Sequence, residues 1–553
     1  MHTSGVPSLK PLAPLSLAAA VAAASSGSAS AQVMATAAAG DMAIVPYYTV
    51  QNNYATGLSI ANNSDNTQVV KVRLRRATDA MGALDFNVLL SARDVWSGVL
   101  QSSAEIGALT GLPVIKIFTG DTSCTVPENS GSLSMPEIYR VGAEEGYIEI
   151  IGMGQPSDEQ QPIALAAAPA GNGVPVDCTR ASDNFRRGTG SQDYFQDWPA
   201  FEASTTYLYY RTRGVINSAL TAQYSSVGGA VNPNDPVTST YVDTDNVLTV
   251  SYFIRSDETG VEFGNNAVHV RDFMDGASIT NQTVGIFEGD LQGFDYPDLN
   301  GPAPSSLGGV IDNIASVPSG AATARSSYEA LRNELSQGYT VNDWSANDQG
   351  AFSVDTDWVL TAPGQYLMVN LFGYLTSLAD PGFPCLPGTP GFDNLTLDGE
   401  NCDFRDVPMR LSATVQDRRD NVLLPEEDDL VISPQPPGSV QQQVLAQDVN
   451  VLTWGTPVLG SARTIGIPRP ADSRAGWASV SVQSSVVKIQ ATCDFVRQRG
   501  TSAQDLEVNC VSTSAPAPVI GFAAWQRNFT DMPAVNYGRI VNHSRAVNSA
   551  VVP

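Results

Sequence analysis

Apolar and polar residues alternate with a period of two along much of this chain. Val70, Val72 and Leu74 interleave with Lys71, Arg73 and Arg75, and Phe86 and Val88 interleave with Asp85 and Asn87. Successive side chains of a strand point to opposite faces, so these segments read as strands with one buried and one wet face. The run Ile44-Val45-Pro46-Tyr47-Tyr48-Thr49-Val50 and residues 57–61 read as strands separated by the turn residues Asn52-Asn53. Further strands are predicted at 114–118, 147–151, 206–212, 247–254, 261–270, 358–361, 366–372, 407–415, 422–424, 449–454, 477–482, 486–491, 506–511 and 519–524. Short strands at close intervals, with turns between them, predict a mainly β chain. It is expected to form two or three sandwich-like regions, immunoglobulin-like or jelly-roll-like, with long loops and one or two short helices.

Two segments break the alternation. Residues 157–199 are rich in Pro, Gly, Asp, Gln and Ala and read as a long surface excursion. Residues 321–335 read as a helix, because Tyr328, Leu331 and Leu335 fall on one face, Ser326 or Ser327 can cap it and Gly338 ends it. The stiff connector Ser433-Pro434-Gln435-Pro436-Pro437-Gly438 separates the last β stretch. The expected regions are therefore 32–230, 231–432 and 433–553.

The first residues change the picture. Lys10 precedes an apolar run at 12–24, and Ala29-Ser30-Ala31 is a small-x-small cleavage signal before Gln32. This is the pattern of a secretory signal peptide over 1–31, too short to anchor in a bilayer. No later run reaches the ~18 apolar residues of a membrane-spanning helix, so no membrane insertion is expected. Export brings the six cysteines into play. Their order favours three sequential pairs, Cys124 with Cys178, Cys385 with Cys402 and Cys493 with Cys510. Each link would contribute about 2–4 kcal/mol.

Charge narrows the partners. The formal net charge is −26, and the lysines are Lys10, Lys71, Lys116 and Lys488 alone. Such a surface disfavours nucleic acid and anionic membranes and suits high salt.

Candidate chemistry is sparse. No GxSxG elbow, phosphate-cradling loop or dinucleotide fingerprint occurs. His269 reads as a packed or surface strand residue and His543 as a solvated one. The chain holds 56 acids, so carboxylate pairs of the kind glycoside hydrolysis requires arise without singling out two residues. Hard cations want clustered oxygens on loops, which makes calcium the metal that Asp243 and Asp245, or Asp393, Asp398 and Asp403, would suit. Asp290, Asp295 and Asp298 form a third acidic loop. Trp96, Trp358, Trp454, Trp477 and Trp525 lie in β runs and read as core. Trp198 and Trp344 lie in polar loop contexts, where an exposed ring can stack on sugar but one-sided packing is the favoured expectation.

Several segments resemble an uncharacterised group of secreted proteobacterial cell-surface proteins. They are Val45-Pro46-Tyr47-Tyr48-Thr49-Val50, Leu84-Asp85-Phe86 with Asp94-Val95-Trp96, Thr356-Asp357-Trp358-Val359-Leu360-Thr361, Asp448-Val449-Asn450-Val451-Leu452 and Gly521-Phe522-Ala523-Ala524-Trp525. The resemblance runs from about 41 to 545. It implies a location at the envelope or outside a Gram-negative cell, and it brings no catalytic residues with it. The expected role is structural or adhesive and non-catalytic, at the cell surface, in the matrix or in the periplasm. Its expected partners are other surface proteins, further copies of itself or polysaccharide. The competing expectation is a carbohydrate-binding protein or glycoside hydrolase.

N-terminal sequencing of the exported protein should begin at Gln32. Retention of residues 1–31 on exported material would contradict the cleavage.

Overall fold

A computed structural model describes Val33–Ala35, 39–183 with short gaps at 79, 81, 109, 127–130 and 138–139, 241–273, 299, 331, 334–336, 339–364, 409–422 except 420, 443–486 except 446, 493–497, 506–510 and 513–546. The expected strands at 206–212 and 366–372, most of the 321–335 helix and the 433–438 connector lie outside these residues. Gln32–Pro553 form one compact unit.

The chain is mainly β. An eight-stranded sheet runs in the order Val33–Ala35, Val268–Arg271, Met42–Thr49, Glu145–Pro156, Gln68–Arg76, Gly82–Leu90, Cys124–Val126, with Tyr241–Val242 added to Glu145–Pro156. A six-stranded sheet runs Glu262–Asn266, Leu248–Ser256, Tyr54–Asn62, Val95–Ile106, Pro113–Phe118, Ser132–Ser134. Leu248–Ser256, read as the clearest strand of a second region, therefore pairs with the N-terminal strand Tyr54–Asn62. The two sheets sandwich one core. Val70, Val72, Leu74, Phe86 and Val88 from the first meet Leu58, Ile60, Trp96, Ile117 and Val250 from the second. Phe86 and Trp96 mark its centre, their ring centroids 5.5 Å apart.

An eleven-stranded sheet forms most of the rest and bends on itself. Met409–Asp417, Ala475–Val486 and Tyr339–Asp348 form one leaf, while Phe352–Thr361, Val449–Thr453 and Ile520–Phe529 form the other. Residues 346–348 and 353–355 join the leaves. The second leaf is buried on both faces. Val359, Val451, Phe522 and Ala524 belong to the first core, while Trp358, Leu360, Leu452, Ala523 and Trp525 belong to a second. Register keeps these sets apart, since Val359 lies opposite Val451 and Phe522 whereas Trp358 lies opposite Leu452 and Ala523. The second core is built on indoles, with Trp454 stacked against Trp344 at 6.3 Å and tilted onto Trp358 at 4.8 Å.

Three sequence expectations change. First, Lys71, Arg73 and Arg75 do not face water, and Gln68–Arg76 is buried along its whole length. Burial of their charges requires partners. Arg73 Nε lies 3.1 Å from Asp85 Oδ2. Arg75 grips Glu149 with two parallel hydrogen bonds, Nε to Oε1 at 3.1 Å and Nη2 to Oε2 at 3.2 Å, and Tyr147 Oη donates to Oε1 at 3.2 Å. Polar alternation thus marks a layer of buried ion pairs. Second, the 157–199 excursion begins as a packed element. Pro162–Ala167 is helical, with Ile163, Ala164, Ala166 and Ala167 buried. Proline fits a helix's first turn, alanine propagates it, and Ala168, extended before Pro169, ends it. This helix packs on Val69 and Leu89 of the charged face. The Cys124–Cys178 disulfide ties the sheet to a second short helix, Cys178–Asp183. Third, Trp344 lies in a strand and is fully buried, because its Nε1 donates to the Gln416 and Trp477 carbonyls.

Leu331 and Leu335 of the expected helix are helical and buried in the first core. Among the described residues no helix is long and apolar enough to cross a membrane.

Replacing Glu149 with Leu leaves the Arg75 charge buried without its bidentate partner. It should destabilise the fold by about 3–5 kcal/mol, and Arg75→Leu should do likewise. The double variant should recover much of that loss in urea unfolding midpoints. Additive losses would show that the pair is not coupled.

Candidate ligand-binding groove

Of the predicted metal-site residues, the structure describes Asp243 and Asp245. Asp243 and Asp245 stand on the turn before Leu248–Ser256, and the Asp245 carbonyl accepts the Val247 N–H at 2.8 Å. Among the described residues no group of three or more His, Cys, Asp or Glu is placed to hold a metal ion. Asp393, Asp398, Asp403, Cys385, Cys402 and Trp198 lie outside the described residues, as does the 290–298 loop. Cys493–Arg497 and Leu506–Cys510 form a two-stranded antiparallel pair whose register sets Cys493 opposite Cys510, as the expected link needs.

Both histidines among the described residues hold structural contacts. His269 is buried, and its Nε2 accepts the Val250 N–H at 2.8 Å. His543, expected to be solvated, lies against the Trp358 ring at 4.9 Å, its Nε2 3.0 Å from the Val359 carbonyl and its Nδ1 3.1 Å from Asn342 Nδ2.

The carboxylates most resembling an acid–base pair are Asp355 and Asp357. Burial raises both, Asp357 to about 6, against the lowering effect of backbone N–H donors. Such shifts mark functional sites as well as structural clamps. Here the donors belong to a loop. Asp355 Oδ1 accepts from Thr456 N at 3.3 Å, and Asp357 Oδ2 accepts from Val458 N at 2.7 Å and Leu459 N at 3.0 Å. Glu145 Oε1 takes Ala462 N at 2.9 Å. Two groups of the first sandwich grip the same loop, Tyr54 Oη donating to the Val458 carbonyl and Asn52 Nδ2 to the Gly460 carbonyl, each at 2.7 Å. Gly460 has φ +67, and a Cβ there would lie 2.6 Å from the Tyr54 ring, so glycine is required. With no exposure at Asp357, this cluster is a latch between the sandwiches rather than a reaction centre.

The open feature is a groove of about 650 Å³ on the outer face of the six-stranded sheet. Strand register builds it as two parallel rows. One row reads Gly264, Phe253, Gly57, Val99, Phe118, Ser132. The next reads Asn266, Ser251, Ser59, Ser97. A Cβ on Gly57 would lie 2.0 Å from the Phe253 ring, so that ring lies across the neighbouring strand and over the glycine. Directly opposite residues share a face, so the aromatic row and the hydroxyl–amide row run side by side. Phe253 and Phe118 stand three strands apart, about 14 Å. Charged residues of both signs stand nearby: Arg255 is opposite Glu262, Lys116 Nζ lies 2.7 Å from Glu105 Oε1, and Asp121 Oδ2 accepts the Ser97 N–H at 3.2 Å.

The groove residues were not singled out in the sequence. A trace is visible in Leu248–Ser256, where Thr249, Ser251 and Arg255 share a face with Phe253, one aromatic on an otherwise polar side. The rows themselves depend on pairing between distant strands.

The Asp357 carboxyl is easier to protonate folded than unfolded. Its contribution to stability is therefore full below pH ~4 and is lost as pH rises through 6, to a limit of about 3 kcal/mol. Asp357→Asn should remove this slope. Thermal melts of both proteins from pH 3.5 to 7 test it, and parallel profiles would refute the latch's titration.

Comparison of the chain with protein-family models, curated proteins and solved structures finds no match.

Proposed function

We propose that this chain is an exported bacterial surface protein that acts by adhesion, with the groove on the six-stranded sheet as its contact face. The observation that carries the reading is the groove itself. An open sheet face with half-buried aromatics beside unspent polar side chains is suited to binding, whereas the eight-stranded sheet spends both its faces on packing. The Cys124–Cys178 disulfide supports an oxidising location such as the periplasm or cell exterior. The resemblance to secreted cell-surface proteins points the same way. Hydrolysis of a bound chain would need two carboxylates at the groove. Its described lining holds one, Glu262, opposite Arg255.

Fractionation of the native host with immunogold electron microscopy tests the reading. The chain should label the cell surface or matrix, and beads coated with purified protein should attach to host cells or their matrix. Confinement to the cytoplasm, or coated beads that attach no better than bare ones, would overturn it.

A further inference from the structure

We propose that the groove binds an uncharged polysaccharide, laid across the strands with its sugar rings on the Phe253–Phe118 row and its hydroxyls on the serine–asparagine row. The inference rests on the reading of this face as the contact surface and names what it contacts.

Three observations carry it. The first is the pose of Phe253. The Phe253 ring lies over Gly57, where a Cβ would meet it at 2.0 Å, and the side chain is half-buried, so part of its aromatic surface stays open. A sugar ring offers axial C–H groups to such a face, and an aromatic contact contributes about 0.5–1.5 kcal/mol beyond the area it buries. The second is the row beside it. The side chains of Ser59, Ser97, Ser251 and Asn266 make no hydrogen bond within the described structure, though their backbones are held in the sheet. Four unspent hydroxyl and amide groups in register suit a ligand that is itself a row of hydroxyls. The third is charge. The two rows themselves carry no charged side chain, and around them Arg255 lies opposite Glu262, Lys116 is tied to Glu105 and Asp121 accepts the Ser97 N–H, in a protein of net charge −26.

These features also separate the ligand from its competitors. An extended peptide recognised by strand addition needs free backbone groups at a sheet edge, but the groove floor is side chains on paired strands. A lipid chain would strand the hydroxyl row without partners. A polyanion finds no unmatched cation on the rows. The span of about 14 Å between the aromatics favours a chain over a single sugar.

The full-length protein is titrated calorimetrically with soluble neutral glycans (linear glucan, mannan and xylan), with a polyuronate and with an unrelated extended peptide. Two variants accompany it, Phe253→Ala and Ser97→Trp. At least one neutral glycan should bind, and Phe253→Ala should weaken it about tenfold. Ser97→Trp, which fills the groove from an exposed position with no side-chain bond, should abolish binding while leaving the melting temperature unchanged. If Phe253→Ala fails to fold, Ser97→Trp decides the matter. Preference for the polyuronate or the peptide, binding that survives both variants, or no binding to any neutral glycan would overturn the proposal. Bead attachment read in parallel separates the two ideas. Attachment lost in the variants without glycan binding removes the polysaccharide and keeps the adhesive face. Glycan binding lost in the variants with attachment intact removes the adhesive role of the groove and keeps its ligand.

Discussion

The constraint on which this architecture depends is that strand Phe352–Thr361 has no wet face along most of its length. It is hydrogen-bonded to strands on both sides and packed above and below, so every side chain from 354 onwards must be apolar or have a partner. The polar residues comply. Thr356 Oγ1 accepts the Ser345 N–H, Asp357 takes two N–H groups of the 455–462 loop, and Thr361 Oγ1 donates to the Pro46 carbonyl. Those bonds reach both sandwiches. One strand therefore fixes how two cores lie against each other, and its alternation sorts residues between the cores rather than between core and water.

The same logic applies in the eight-stranded sheet, and it shows where sequence patterns mislead. Period-two alternation identifies strands because it follows from backbone geometry, and most of the expected strands within the described residues are present. Alternation does not say what lies over each face. Lys71, Arg73 and Arg75 alternate with valine and leucine as they would on a wet face, yet Asp85 and Glu149 come from neighbouring strands to neutralise them. Trp344 hides among Asn342, Asp343 and Ser345, and only the Gln416 and Trp477 carbonyls explain its burial. In each case the missing information is long-range. The partner lies on another strand, from 12 to 133 residues away, and becomes visible only once register is known.

The groove is the extreme of this dependence. Its aromatic row draws one residue from each of six strands spread from Gly57 to Gly264. No local pattern contains it. By contrast, the Cys124–Cys178 link was legible from cysteine order alone, because the chain returns to its own sheet within one excursion.

Electrostatics give the groove its meaning within so acidic a protein. A surface of net charge −26 repels anions at long range and loses that repulsion once salt shortens the screening length to about 10 Å or less. A site that relied on charge would change affinity steeply across that range. Stacking on Phe253 and hydrogen bonds to neutral hydroxyls and amides do not. The chain has four lysines, and one of them, Lys116, stands at the edge of the groove with its charge spent on Glu105. An acidic, lysine-poor exterior and the proposed contact face would then be two parts of one solution. The exterior would keep the protein dispersed in salt, and the proposed ligand would be held by forces that salt leaves intact.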